Sequence, residues 1–504
     1  MRQIFLHKYI DKLFSHAVEG DNNKLSVRVL RLLLSLRPYS YMLYCYRAGQ
    51  VQNAVNILGN KVPPENPFLS RVCRRCHEII NVLEDGFEIG EPVQQSSKWQ
   101  FNNRVLLAFH SAESYDPAGY TVRSNAIMKS LDRQNISIFP CTRLGYPWDL
   151  LQHKDKPIVD SSQVAGFTIK HSHDPDNLIG DADSIYLEAY ANKMATLAKN
   201  ENVSVIHASS NFLNGLAAAL AGRKLGIKSV YEMRGLWHLT RSVREGGFEQ
   251  TEHFRYCHKM EVAAANLCDA VVAISNPLKN WLISEGVAPE KIHVIPNAAE
   301  VGDGQVPSVK VPPGLEYLKD KFVVGFIGSL TDYEGIDLII RAVAALLADI
   351  KNIHCVIVGD GREKKALESL TSELGINDAV TFTGRVPKSD VPSYYKVIDV
   401  FPLPRKPFPV CKLVPPLKPL EIMAEAKPVI VSDLEPLTEI VRDKETGLVC
   451  KADSVESLAE QIVLLHSNPE FAADVAKKGQ QWVVENRTWT QNAGLYINLY
   501  SRLV

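Results

Sequence analysis

Residues 414–449 read VPPLKPLEIMAEAKPVIVSDLEPLTEIVRDKETGLV. Pro419 suits the first turn of a helix, where its missing N–H is not needed and its fixed φ is already helical. The spacing predicts a helix over 419–426. PVIVSD then follows as a short run apolar on both faces, the mark of a strand covered on two sides. A helix that passes straight into such a strand is half of a βαβ unit, so the stretch places this part of the chain in a parallel sheet covered by helices.

The same alternation continues in both directions. Upstream lie KFVVGFIGS, a helix over 336–347, HCVIVGD, a helix near 364–374, AVTFTG and VIDVFPL. Together these make one doubly wound domain, 315–485. The Gly- and Pro-rich VGDGQVPSVKVPPG (301–314) reads as a linker. Before it stands a second series: RVLLAFH, a helix near 122–131, VSVIHA, a helix over 212–225, KSVYEM, AVVAIS and KIHVIP. This is another Rossmann-like domain, 104–303. The expected architecture is therefore α/β, with two Rossmann-like doubly wound domains, a last helix in 486–504 and a ligand cleft at the carboxyl ends of the sheets.

Residues 1–95 carry helical periodicity and no strand alternation, in 25–36 and again in 41–58, and read as a separate all-α extension. YMLYCYRAGQVQNAVNIL loosely resembles one tetratricopeptide-type hairpin, with no second copy at a fixed period. The polar GEPVQQSSKWQFNN (90–103) reads as a linker.

The charge balance, 56 basic against 57 acidic residues in 504, gives no global field for nucleic acid or an anionic membrane. Nine scattered cysteines read as reduced, buried thiols and predict a cytoplasmic location. The start, MRQIFLHKYIDKLF, lacks the apolar core and cleavage site of a secretory signal. The most lipid-like stretch, 27–46, holds Arg28, Arg31 and Arg37 and meets Pro38, so it is too charged and broken to span a bilayer. Cys73-Arg74-Arg75-Cys76-His77 fits a haem-attachment pattern only superficially, because that chemistry needs export. No second pair stands at zinc spacing. GDGREK lacks the ending of a P-loop.

Chemistry concentrates again at the opening stretch. Lys418 and the free backbone N–H groups at the start of the helix offer a site for a diphosphate, and Glu421, one turn inside, can accept two ribose hydroxyls. A surface helix with an ordinary N-terminal glutamate is the plain alternative.

PLKPLEIMAEAKPVIVSD, with EIV and TGLV after it, resembles the donor-site signature of glycosyltransferase family 4. The likeness extends over roughly 104–500, through AGYTVRSNAIMKSL, TRLGYPWD, VIHASSNFLNGLAAALAGRKLGI, YEMRGLW, AISNPLKNWL, VIPNAAE, IGSLTDYEGID, VGDGREKKAL and FTGRVPKSDVPSYYKVIDVFPLPR. The resemblance implies a GT-B fold, a donor side in 315–485 and an acceptor side in 104–303. It further implies transfer with retention of configuration, no metal and no separate cofactor. The substrates would be a UDP- or GDP-linked sugar and a glycan, lipid-linked or protein-linked acceptor, commonly in surface polysaccharide or glycolipid synthesis.

Carried over residue by residue, Gly119 and Tyr120 match a loop that ends the first strand and lets backbone approach donor phosphates or acceptor; a structural turn is the alternative. Gly384 and Arg385 match the nucleobase pocket. Leu417, Lys418, Pro419, Leu420 and Glu421 match the helix that holds phosphate and ribose. His207 matches part of a histidine motif near the sugar, the second histidine of which is Ser209 here. Glu232 and Arg234 match an acceptor-side motif of a subgroup with the PLKPLE sequence, or pair with each other.

The family's phosphate-gripping arginine and lysine are replaced by Ser329 and Glu334, and its first motif glutamate by Leu413. Arg405 and Lys418 are the cations placed to supply the missing charge, and with His207 form the expected catalytic set. Two other readings stay open, a catalytically silent GT-B subunit and a sugar-nucleotide epimerase. The extension 1–95 is open to a protein partner or to the periphery of the inner membrane face.

Overall fold

The computed structural model describes residues 38–58, 67–87, 99–174, 180–301 and 311–503. The helix expected at 25–36 and most of the two linkers lie outside them. Two units form: the described residues up to Ala273 with Lys279–His293 and those from Ile497 on, and Ile274–Leu278 with Val294–Tyr496.

The first unit opens with helices α1 (Pro38–Arg47), α2 (Val51–Leu58) and α3 (Pro67–Asp85). Its sheet holds β1 (Arg104–Phe109), β2 (Ser137–Thr142), β3 (Ser161–Val164), β4 (Phe167–Lys170), β5 (Val205–Ser209), β6 (Lys228–Met233), β7 (Ala270–Ala273) and β8 (Ile292–Val294). The order is β3-β4-β2-β1-β5-β6-β7-β8. β1, β5 and β6 pair in parallel, and β3–β4 is an antiparallel hairpin at the edge. The helices are α4 (Gly119–Asp132), α5 (Asp183–Asn200), α6 (Phe212–Leu225), α7 (Trp237–Arg244) and α8 (Glu252–Leu267), while α9 (Asn276–Ser284) has its first residues in the second unit and the rest in the first. β5 and β7 are buried at every residue, which is why the sequence shows continuous apolar runs there instead of alternation.

In the second unit, β9 (Phe322–Ile327), β10 (Ile353–Val358) and β11 (Val380–Gly384) form one parallel ladder, and β12 (Phe401–Leu403), β13 (Val429–Ser432) and β14 (Leu448–Cys450) form another. A parallel bridge from Val324 to Val400 brings β9 beside β12. A Cβ at Gly325 would lie 2.4 Å from the Ile398 side chain, so the glycine in FVVGF lets that residue pack directly on the strand. The helices are α10 (Ile336–Leu346), α11 (Lys364–Glu373), α12 (Val391–Val397), α13 (Lys418–Ala424), α14 (Glu435–Thr438), α15 (Val455–Ser467), α16 (Pro469–Asn486) and α17 (Trp489–Arg502). α17 starts in the second unit, where Asn492 donates to the Pro296 carbonyl at 2.7 Å, and its last residues belong to the first.

The described part of the N-terminal extension is not a separate element. α1 and α2 form a hairpin about Gly49, whose φ is +81°, and a Cβ there would meet Thr251 Oγ1 at 2.6 Å. Arg241 donates to the Arg47 carbonyl at 2.6 Å, and Lys259 to the Val82 carbonyl at 2.8 Å, so cations of the α/β unit satisfy carbonyls near the ends of extension helices. In return Glu78 of α3 accepts from the backbone N–H groups of Asp183 and Ser184, the orphan donors at the start of α5. Arg75 is buried against Asp183 at 2.8 Å, and the Tyr256 hydroxyl donates to the same carboxylate at 2.7 Å. Cys73 and Cys76 are buried on α3. Among the described residues no helix is long and apolar enough to cross a membrane.

One buried acid makes the stability of the first unit pH-dependent. Glu261 of α8 accepts from the Tyr231 hydroxyl at 2.5 Å and from the Phe212 backbone at 3.3 Å, where α6 begins. Burial pushes its carboxyl up to about 7. Unfolded, it titrates near 4.3, about the usual glutamate value. The folded state therefore holds the proton more tightly, and stability is lost as pH rises from the unfolded value through the folded one, then levels off. Glu261→Gln should be more stable than wild type, by about 2–3 kcal/mol more at pH 8 than at pH 5. Urea unfolding at the two pH values measures this, and an equal difference at both would refute it.

Candidate functional site

At the carboxyl ends of β9 and β10 the chain turns through Gly328 and Gly359. A Cβ on Gly359, at φ +137°, would fall 1.9 Å from the Gly328 carbonyl, so the two turns touch through backbone alone. Gly328, at φ +152°, has the Lys418 side chain against its open face, with Cε 2.4 Å from where a Cβ would stand. Lys418 is the first residue of α13, and its ammonium lies 4.7 Å from the centroid of the Phe326 ring.

Glu334, on the short turn before α10, is buried, and its carboxylate bridges two cations. Oε2 is 2.9 Å from Lys418 Nζ, and Oε1 is 3.4 Å from an Arg405 nitrogen. Burial alone would raise this carboxyl, but Lys418 and Arg405 outweigh it and hold it below the usual range. Arg405 is 6% exposed and donates to the Val414 carbonyl at 2.9 Å, while its guanidinium stands 5.2 Å from the Tyr333 ring centroid. The position where the resemblance expects a lysine thus holds the counterion of two cations that arrive from β12 and α13.

Glu421 lies one turn along α13 from Lys418, half-buried; burial raises its carboxyl against the opposing pull of Lys418 and Lys388. Pro419 and Leu420 are buried, Leu417 and Gly384 half-buried, and Ser329 and Arg385 exposed. Gly384 has φ +73° and its carbonyl accepts from Gly359 N at 3.0 Å, which draws the end of β11 to the same turn. Leu413 accepts the Ser275 hydroxyl at 2.6 Å through its carbonyl.

The second constellation lies in the first unit, at the end of β6. Glu232 is fully buried, with Arg123 Nε at 2.7 Å, Arg234 Nε at 3.0 Å and His207 Nε2 at 2.9 Å. Burial would raise this acid, yet Arg234, Arg123 and His207 together hold it well below the usual carboxylate range. The other His207 nitrogen is 2.6 Å from the Tyr500 hydroxyl on α17. Arg234 also donates to the Tyr120 carbonyl at 3.2 Å and to Ser124 Oγ at 2.7 Å, tying β6 to the first turns of α4. Of the two alternatives for Glu232 and Arg234, the structure shows them paired. His207 is 1% exposed, between Glu232 and Tyr500.

Gly119 and Tyr120 do not end the first strand. β1 closes at Phe109, and Gly119 is the exposed first residue of α4, with Tyr120 donating its hydroxyl to Asp116. Sequence reasoning missed Arg123, an arginine on an ordinary helix, and Tyr500, which stands 293 positions from its partner His207. No local pattern marks either. Glu334 was visible as a departure, but its two partners were not visible as partners of it.

Two family models match the chain in succession: Glycosyltransferase Family 4 over residues 152–302 and Glycosyl transferases group 1 over 313–482. An uncharacterized glycosyltransferase of Methanocaldococcus jannaschii is 27% identical over 271 residues, 52% of this chain and 67% of the relative. Across four such curated relatives the alignments span 49 to 67% of their length. Sucrose-phosphate synthase from Thermosynechococcus elongatus superposes with a TM-score of 0.61 at 19% identity, covering 79% of this chain and 98% of that one. HepE from Anabaena in complex with UDP superposes at 0.59 and 17% identity, covering 79% and 99%. These likenesses establish the GT-B fold.

The Glu232 cluster is a buried ion network, and removing one partner of such a network is costly. Glu232→Ala leaves Arg123 and Arg234 without a counter-charge and should destabilise the first unit by about 3–5 kcal/mol. Denaturant unfolding checks this; an alanine variant as stable as wild type would show that the network holds nothing together.

Proposed function

We propose that this chain, which belongs to the glycosyltransferases of GT-B fold, transfers a sugar from a nucleoside-diphosphate donor, UDP- or GDP-linked, to a glycan, lipid-linked or protein-linked acceptor. The observation that carries the reading is the ammonium of Lys418, fixed beside the Gly328 turn, with Glu421 one turn further along the same helix. An ammonium is a point charge suited to phosphate oxygens, and a carboxylate one helical turn away can accept vicinal hydroxyls. Gly384 and Arg385, at the end of β11, would border the base. UDP in the HepE complex is in keeping with such a ligand.

The reaction we propose is a retaining, front-face transfer. Negative charge develops on the departing diphosphate and is stabilised by fixed protein cations, with no metal and no separate cofactor. The acceptor hydroxyl loses its proton to the leaving phosphate oxygen, so no protein nucleophile is needed. His207, Glu232 and Arg234 would act on the acceptor side by holding the β5 and β6 ends and the first turns of α4 in place. The work would be done in the cytoplasm, at the inner membrane face where the acceptor is lipid-linked, in the synthesis of a surface polysaccharide or glycoconjugate.

A thermal-shift screen against UDP, GDP, ADP and CMP and their sugar conjugates tests the donor site, because a ligand that binds only the folded state at a hundred times its Kd adds about 2.7 kcal/mol of stability. One nucleoside diphosphate should raise the Tm of wild type clearly more than that of Lys418→Ala, whose binding is weakened but measurable. Glu421→Ala should lower turnover at least about tenfold, the loss of a charge-assisted hydrogen bond, with its unfolding curve unchanged. No stabilisation by any nucleotide would leave a catalytically silent subunit as the better reading.

A further inference from the structure

We infer that Glu334 is a positioning residue for the diphosphate site: it holds the Lys418 ammonium toward the ligand, while Arg405 braces Glu334 and does not touch the ligand itself. The inference rests on the donor reading above and deepens it.

Arg405 is spent on the protein. One guanidinium nitrogen donates to the Val414 carbonyl at 2.9 Å, another meets Glu334 at 3.4 Å, and its own carbonyl accepts the buried Ser432 hydroxyl at 2.7 Å. Its side chain is 7% exposed. Lys418 differs. Its side chain is 19% exposed, and its ammonium is ion-paired with Glu334 Oε2 at 2.9 Å. The Phe326 ring lies against the ammonium on a further side, and the bare backbone of Gly328 lies against the stem. An unheld lysine samples many rotamers in water, and each must be given up when phosphate binds. Here the stem is confined by Gly328 and the head by Glu334 before any ligand arrives. Arg405, fixed at Val414, in turn keeps the carboxylate from rotating away.

A counter-effect of opposite sign makes the inference testable. Glu334, Arg405 and Lys418 sum to one positive charge, and removing the carboxylate raises this to two. If Glu334 acted only through its charge, its loss would tighten binding of an anion. If it acts by holding Lys418, its loss weakens binding in spite of the added charge.

The experiment is titration calorimetry of the full chain with UDP or GDP, whichever the thermal screen selects, together with the matching nucleoside followed by ligand-detected NMR. Glu334→Ala should bind the diphosphate five- to tenfold more weakly and the nucleoside unchanged. Glu334→Gln, which keeps an acceptor oxygen for Lys418, should recover to within about threefold of wild type, the low end of the net worth of an ordinary hydrogen bond. In a Lys418→Ala background, Glu334→Ala should cost nothing further, since the two act as one unit. Tighter diphosphate binding by Glu334→Ala overturns the inference, as does equal weakening for nucleoside and diphosphate, or an undiminished effect without Lys418. If Glu334→Ala does not fold, the glutamine variant decides: binding within threefold and weaker supports positioning, and tighter binding refutes it. A wild-type chain that binds no nucleoside diphosphate would instead refute the donor reading itself.

Discussion

A carboxylate taken out of water must be answered by cations or give up its charge. Among the described residues, Glu232, Glu334 and Glu261 meet that constraint in two ways. Glu232 and Glu334 each sit between two cationic side chains and stay ionised, whereas Glu261 receives only a hydroxyl and a backbone N–H and is driven toward its protonated form. The ion-paired acids lie near the ends of parallel strands, where the apolar runs stop and loops begin. Each ties elements that are far apart in sequence: β6 to α4 and β5 in one unit, the turn before α10 to β12 and α13 in the other. Placement of side chains around the proposed donor and acceptor sides therefore depends on charge pairing as much as on the apolar core.

The same reasoning explains why the N-terminal helices belong to the first unit. Helix ends leave backbone groups without partners, and those of α1, α3 and α5 are satisfied across the boundary between extension and sheet, by Arg241, Lys259 and Glu78. Gly49 lets the α1–α2 hairpin sit directly on Thr251 and Phe248. Helical periodicity identifies such a segment as helical but is silent on what its polar residues bond to, so a part of the first unit looked like a separate element.

Lys418 reaches the turn after β9 from a helix far along the chain. Glu334 precedes α10 where the resemblance expects a lysine, and Ser329 follows β9 where it expects an arginine; an ammonium reaches the Gly328 turn from α13. Glu334 stands where the missing cation would be and is the group that receives the new one.

The sequence by itself marked most of the buried strands and several of the helices between them, in order along the chain. Doubly apolar runs mark strands buried on both faces, Pro419 marks a helix start, and VLLAF, VIHAS, CVIV and VIVS all fall on strands of the two units. These signals are local, since a few neighbouring residues carry them. β2 escaped because Pro140 interrupts its run, although the strand still pairs with β1 at Leu107. The sequence also marked Lys418 and Glu421, which share one helical turn. Only the tertiary structure decided which charges neutralise one another, Glu334 with Arg405 and Lys418 and Glu232 with Arg123, and that His207 hydrogen-bonds Tyr500 at the far end of the chain. Ion pairs and hydrogen bonds act over a few ångströms through space, and nothing in the spacing of residues along a chain records which distant side chains folding will bring within that range.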